Sequence, residues 1–72
     1  MEQLNAVQIR VLSDAVDKRR RNDTLETAVG REVRRAGLQY QDYMGIVEAV
    51  RAIARKEKLD PWKAVQVLLD QK

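Results

Sequence analysis

The chain has 72 residues and a net charge of +3 at neutral pH. It contains no cysteine and no histidine, which excludes disulfides, thiolate nucleophiles and the usual ligands of zinc. With 44% hydrophobic and 35% charged residues, this is the composition of a folded protein, and the length predicts one small domain over residues 1–72.

The first predicted helix covers residues 3–18. Its apolar residues form two adjacent rows, Leu4, Val7, Val11 and Ala15 in one and Ile9, Leu12 and Val16 in the other. Together the rows cover about half of the helix circumference. A face this broad can contact two neighbouring helices, or one helix and a partner chain.

The second predicted helix covers residues 24–36. Asp23 and Glu26 have the spacing of a capping box at its start. Gly37 is expected to end the helix in the left-handed conformation, with Leu38 folding back onto it.

The third and fourth predicted helices cover residues 41–58 and 61–70. Asp60 is a favoured N-cap, and Pro61 suits the first position of a helix because its missing N–H is not needed there. Trp62 is expected to anchor the last helix in the core. The short connections predict an all-α, compact four-helix domain that is orthogonal or bundle-like.

The sequence carries no recognisable catalytic, metal-binding or cofactor-binding group. Ser13 lies on a polar helix side, and Thr24 and Thr27 lie where hydroxyls cap helices. Asp14 and Asp17 share a helix face, where solvated surface charges are the expected role. There is no glycine-rich phosphate loop. We therefore expect a small binding module rather than an enzyme, with no cofactor and no metal.

Two groups of cations predict contact with nucleic acid phosphates. The predicted binding residues are Lys18, Arg19, Arg20, Arg21, Arg31, Arg34 and Arg35. The run Lys18–Arg21 has another explanation, since cations also favour a helix C-terminus through the backbone dipole.

Two helix pairs are candidates for a helix-turn-helix motif and match it loosely. The second and third helices have the turn glycine, Gly37, whereas the third and fourth have Lys58 where glycine is usual and Val65 one residue away from the expected apolar position. In the latter pair, the residues expected to approach a groove are Trp62, Lys63, Gln66 and Gln71. The leading hypothesis is therefore a DNA-binding or nucleic-acid-associated regulatory protein.

The alternative hypothesis is a protein-interaction or homodimerisation module that uses an apolar helix face. Ile9, Ile46 and Val67 are hard to place in one small core, and Tyr40 lies in a predicted turn, so these four form the candidate partner interface. The chain start, Met1-Glu2-Gln3, lacks the basic segment and apolar run of a signal peptide. We accordingly expect a cytoplasmic protein with no membrane partner.

Overall fold

A computed structural model of the chain describes residues 4–70 and has four α-helices and no strand within that range. They are α1 (Ala6–Asp17), α2 (Leu25–Arg35), α3 (Tyr40–Glu57) and α4 (Pro61–Asp70). Each helix packs against the next along the chain, and α1 also contacts α3 and α4. The predicted all-α four-helix domain is confirmed. Within residues 4–70, none of the helices combines the length and the apolar composition that spanning a bilayer requires.

α3, like α1, contacts all three other helices and carries part of the buried core. Because it has neighbours on several sides, α3 buries two adjacent rows of apolar residues, including Ile46, Val47 and Val50. Ile46 is 0% exposed, so its predicted place in a partner interface is wrong. The other buried apolar residues are Val11, Leu12, Ala15, Leu25, Ala28, Val29, Val33, Ala64 and Val65.

α1 begins at Ala6 and not at residue 3 as predicted. Of the predicted extra residues, Gln3 lies outside the described range, and Leu4 and Asn5 are not helical. Asn5 forms a capping box instead: its side-chain oxygen accepts the amide of Gln8 at 2.8 Å, and its own amide donates to Gln8 Oε1 at 3.0 Å. This reciprocal pair satisfies two amides that the helix itself leaves unbonded, which fixes where the helix begins.

The capping box predicted for Asp23 and Glu26 is wrong. Thr24 is the N-cap of α2, and its hydroxyl oxygen accepts the amide of Thr27 at 3.2 Å. Glu26 instead accepts a hydrogen bond from Arg51 at 2.9 Å, which joins α2 to α3 and lowers the pKa of the Glu26 carboxyl. Because Thr24 is the N-cap, Glu26 is the second residue of the helix and not the third, so it does not have the position that a capping box requires.

Two left-handed residues end helices. Gly37 has φ 72° and Leu38 donates its amide to Val33 at 3.0 Å, as the sequence predicted. Lys58 ends α3 in the same conformation, with φ 56° and ψ 48°. The predicted cap of α4 is confirmed too, since Asp60 accepts the amide of Lys63 at 3.0 Å.

We expect Lys58→Gly to raise the free energy of unfolding by up to about 1 kcal/mol, because glycine adopts the left-handed conformation without the crowding of a Cβ. Ala52→Gly is the matched control, since Ala52 is exposed in the middle of α3. That change should lower the free energy of unfolding by about 1 kcal/mol. Urea denaturation measures both, and a similar loss in the two variants would contradict strain at Lys58.

Candidate nucleic-acid interface

The seven predicted nucleic-acid-binding residues are divided into separate groups rather than joined in one positive surface. Lys18 and Arg35 approach one carboxylate, Arg31 binds another, and Arg19 lies on an aromatic ring. The remaining three, Arg20, Arg21 and Arg34, are exposed. Within residues 4–70, no carboxylate lies within 4.0 Å of a charged nitrogen of these three.

Asp23 accepts hydrogen bonds both from the connection between α1 and α2 and from α2 itself. Both of its carboxylate oxygens accept hydrogen bonds from the Arg31 guanidinium at 2.9 Å, and the backbone amide of Arg20 donates to Oδ2 at 2.8 Å. The hydrogen bonds from the Arg31 side chain and the Arg20 amide lower the pKa of Asp23 to about 2. A two-pronged pair of this kind fixes the arginine in place. Arg31 therefore joins α2 to the connection that precedes it, and its guanidinium binds a carboxylate of the same chain and not a phosphate.

Glu32 lies in the wall between α1 and α2 and is only 4% exposed. Its Oε1 atom lies 3.9 Å from Lys18 Nζ and 4.0 Å from Arg35 Nε. Among the described residues, its Oε2 atom is buried and has no hydrogen-bond partner. The positive charges of Lys18 and Arg35 are thus partly balanced by an acid between them.

Arg19 and Trp62 make the contact that sequence reasoning missed. The Arg19 guanidinium lies 4.5 Å from the centre of the Trp62 ring, within the range of a cation–π interaction. Trp62 is half-buried and packs against the core, as expected, but its ring also supports this cation. The two residues are far apart in the sequence, so no local pattern could have paired them.

The contact of Arg19 with Trp62 brings the cation run to the start of α4. A shallow depression beside the ring is also lined by Lys63 and Gln66, both of which are exposed. We use the name basic corner for Arg19, Lys63 and Gln66, which line this depression, together with Arg20 and Arg21, which follow Arg19 in the chain. Asp60 lines the same depression, but it makes no ion pair within 4.0 Å among the described residues.

Both predicted helix-turn-helix pairs are joined by short turns with a left-handed residue, Gly37 before α3 and Lys58 before α4. The α3–α4 pair is the one whose second helix carries exposed groove candidates, Lys63 and Gln66. Gln71, another predicted groove residue of that pair, lies outside the described residues. The α2–α3 pair presents Tyr40 instead, whose ring lies 5.6 Å from that of Tyr43.

The remaining predicted partner residues lie on three different helices. Tyr40, at the start of α3, is 70% exposed, whereas Ile9 on α1 and Val67 on α4 are half-buried. Val7 on α1 is 54% exposed and was not among the predicted interface residues. Helical periodicity places Val7 in the same row as Val11, so no sequence pattern indicates that only one of them is covered.

No protein-family model, curated protein or solved structure matches this chain. Its function is therefore inferred from the placement of its own side chains.

We expect Asp23→Asn to lower stability at neutral pH, because an amide cannot form the charged pair with Arg31. The folded-state pKa of Asp23 lies below its ordinary value, so the wild-type contribution is present above about pH 4 and is lost as the pH falls towards 2. The difference in thermal midpoint between wild type and variant should therefore shrink over that interval. Melting curves from pH 7 to 2 measure it, and a difference that does not change with pH would contradict the assignment.

Proposed function

We propose that this chain is a small, non-catalytic nucleic-acid-binding module, located in the cytoplasm, that contacts phosphates through its basic corner. The observation that carries the proposal is the position of Arg19 on Trp62, which connects the cation run Arg19–Arg21 with Lys63 on α4. Clustered arginine and lysine side chains supply the attraction to a phosphate backbone. The α3–α4 pair adds a helix-turn-helix arrangement next to these cations.

The cations of the basic corner are available to a ligand. Arg19, Arg20, Arg21 and Lys63 are exposed, and within residues 4–70 no carboxylate lies within 4.0 Å of their charged nitrogens. Lys18, Arg31 and Arg35, by contrast, each lie within 4.0 Å of a carboxylate of the same chain, and the charge of Arg20 acts on Asp23 from a greater distance. The proposed surface is therefore smaller than the sequence predicted, and it favours modest affinity with little sequence preference.

Trp62 has a supporting role in this proposal. One part of the ring packs against the core and Arg19 covers another, so a base stacking on the ring must first displace Arg19. The ring instead holds the guanidinium in place next to α4. Gln66, exposed one turn beyond Lys63, is the side chain whose amide groups suit a base edge.

We expect the wild-type protein to bind a mixed-sequence DNA duplex at about 50 mM salt, with an affinity that falls steeply as salt increases. Four phosphate contacts give a slope of log K against log salt of about −3 to −4. Trp62 is the only tryptophan in the chain and lies under Arg19, so its fluorescence reports the binding directly.

Arg21→Glu should weaken binding and reduce the magnitude of the salt slope by about 1, as expected for the loss of one phosphate contact. Arg34→Glu is the matched control: it is equally exposed and changes the net charge by the same amount, but it lies at the far end of α2. Equal effects of the two variants would rule out the basic corner as the site. Absence of wild-type binding at about 50 mM salt would rule out the proposed function.

A further inference from the structure

A second surface lies on another side of the molecule, in an open groove between α1 and α2. Its volume is about 610 Å³, and its lining includes Val7, Arg10, Val11 and Asp14 from α1 with Glu32 and Arg35 from α2. We propose that this groove binds α1 of a second copy of the chain, in antiparallel orientation, to form a symmetric dimer. The inference is independent of nucleic-acid binding, because the residues of the basic corner do not line the groove.

The charges along α1 are complementary to themselves. Arg10 and Asp14 are one helical turn apart and line the same groove, yet no ion pair within 4.0 Å joins them among the described residues. Around a two-fold axis near the middle of α1, Arg10 of each copy faces Asp14 of the other. A parallel arrangement would instead bring the two Arg10 side chains together. The charge pattern therefore selects the second copy and its direction.

The apolar part of the groove has an exposed residue to cover. Val7 is 54% exposed although it is an aliphatic residue on the row that leads to buried Val11. In the register that pairs Arg10 with Asp14, an antiparallel partner helix places its last turn, which ends at Asp17, over Val7 in both copies at once. Removal of aliphatic surface from water is favourable by roughly 25 cal/mol per Å². A domain of this size commonly gains stability by self-association.

The third feature of the groove that favours a partner is the buried carboxylate of Glu32. Its carboxylate is buried, its Oε2 atom has no hydrogen-bond partner among the described residues, and its two cations are farther away than hydrogen-bond distance. Buried charges in proteins are normally paired and hydrogen-bonded. A docked helix brings Arg10 of the second copy into the groove that Asp14 of α1 and Glu32 of α2 line.

The test uses charge reversal and measures molecular mass by sedimentation equilibrium. The wild type should associate to twice its chain mass of 8.3 kDa. Arg10→Glu places two acids opposite each other at both contacts, and Asp14→Lys places two cations there. Each variant alone should have a dimer dissociation constant at least tenfold higher than that of the wild type, which corresponds to about 1.4 kcal/mol.

An equimolar mixture of the two variants should recover the dimer. In the mixed pair, the glutamate introduced at position 10 of one variant faces the lysine introduced at position 14 of the other. The unchanged Asp14 of the first variant faces the unchanged Arg10 of the second, so both contacts are attractive. The double variant Arg10→Glu with Asp14→Lys should recover the dimer too. Arg55→Glu, an exposed change near the end of α3, is the control and should leave the wild-type association unchanged.

Circular dichroism of each variant separates loss of association from loss of folding, and the double variant keeps the test decisive if one single variant unfolds. A wild-type protein that stays monomeric at about 1 mM overturns the proposal, whether or not another protein occupies the groove. A dimer that survives both single reversals, or one that the mixture fails to restore, overturns the antiparallel α1 contact.

Discussion

The burial of α1 and α3, each of which contacts all three other helices, is the constraint on which the rest of this structure depends. With neither cysteine nor histidine, the chain has no covalent or zinc-based means of holding four short helices together. Ile46, Val47 and Val50 supply the apolar surface around which the other helices pack. The turns before and after α3 must then be tight, which explains a left-handed residue at each, including the non-glycine Lys58. Polar contacts between elements, such as Glu26 with Arg51, complete the attachment.

Features set by neighbouring residues were predictable from the sequence, whereas those that depend on distant residues were not. Gly37 ends α2 and Asp60 caps α4 as predicted, because each acts on backbone groups a few residues away. Asp23 and Glu26 have the right spacing for a capping box, but arginines elsewhere in the chain bind both carboxylates. Ile46 was assigned to a surface because the sequence does not reveal how many neighbours α3 has.

The structure differs from the sequence-based prediction more in its distribution of charge than in its fold. In the sequence, the seven predicted binding cations form two patches. After folding, the availability of each cation to phosphate depends on the acid that it faces. Asp23 engages Arg31, and Glu32 lies between Lys18 and Arg35. Trp62, far away in the sequence, supports Arg19 and brings the start of α4 next to the cation run. Folding thus separates the seven cations: Arg19 lines one depression together with Lys63, and Lys18 and Arg35 line a groove with a buried acid.

The two proposed surfaces meet at the C-terminal end of α1, where Lys18 lines the groove and Arg19 begins the basic corner. The groove lining extends from Ala6 to Lys18, whereas Arg19 follows the C-terminal end of the helix. In an antiparallel pair of α1 helices, the two basic corners would lie at opposite ends. A helix of 12 residues is about 18 Å long, so the corners would be separated by at least about half a turn of duplex DNA. A dimer of this form would offer twice as many phosphate contacts along one duplex, which makes modest contacts at each corner sufficient for useful affinity.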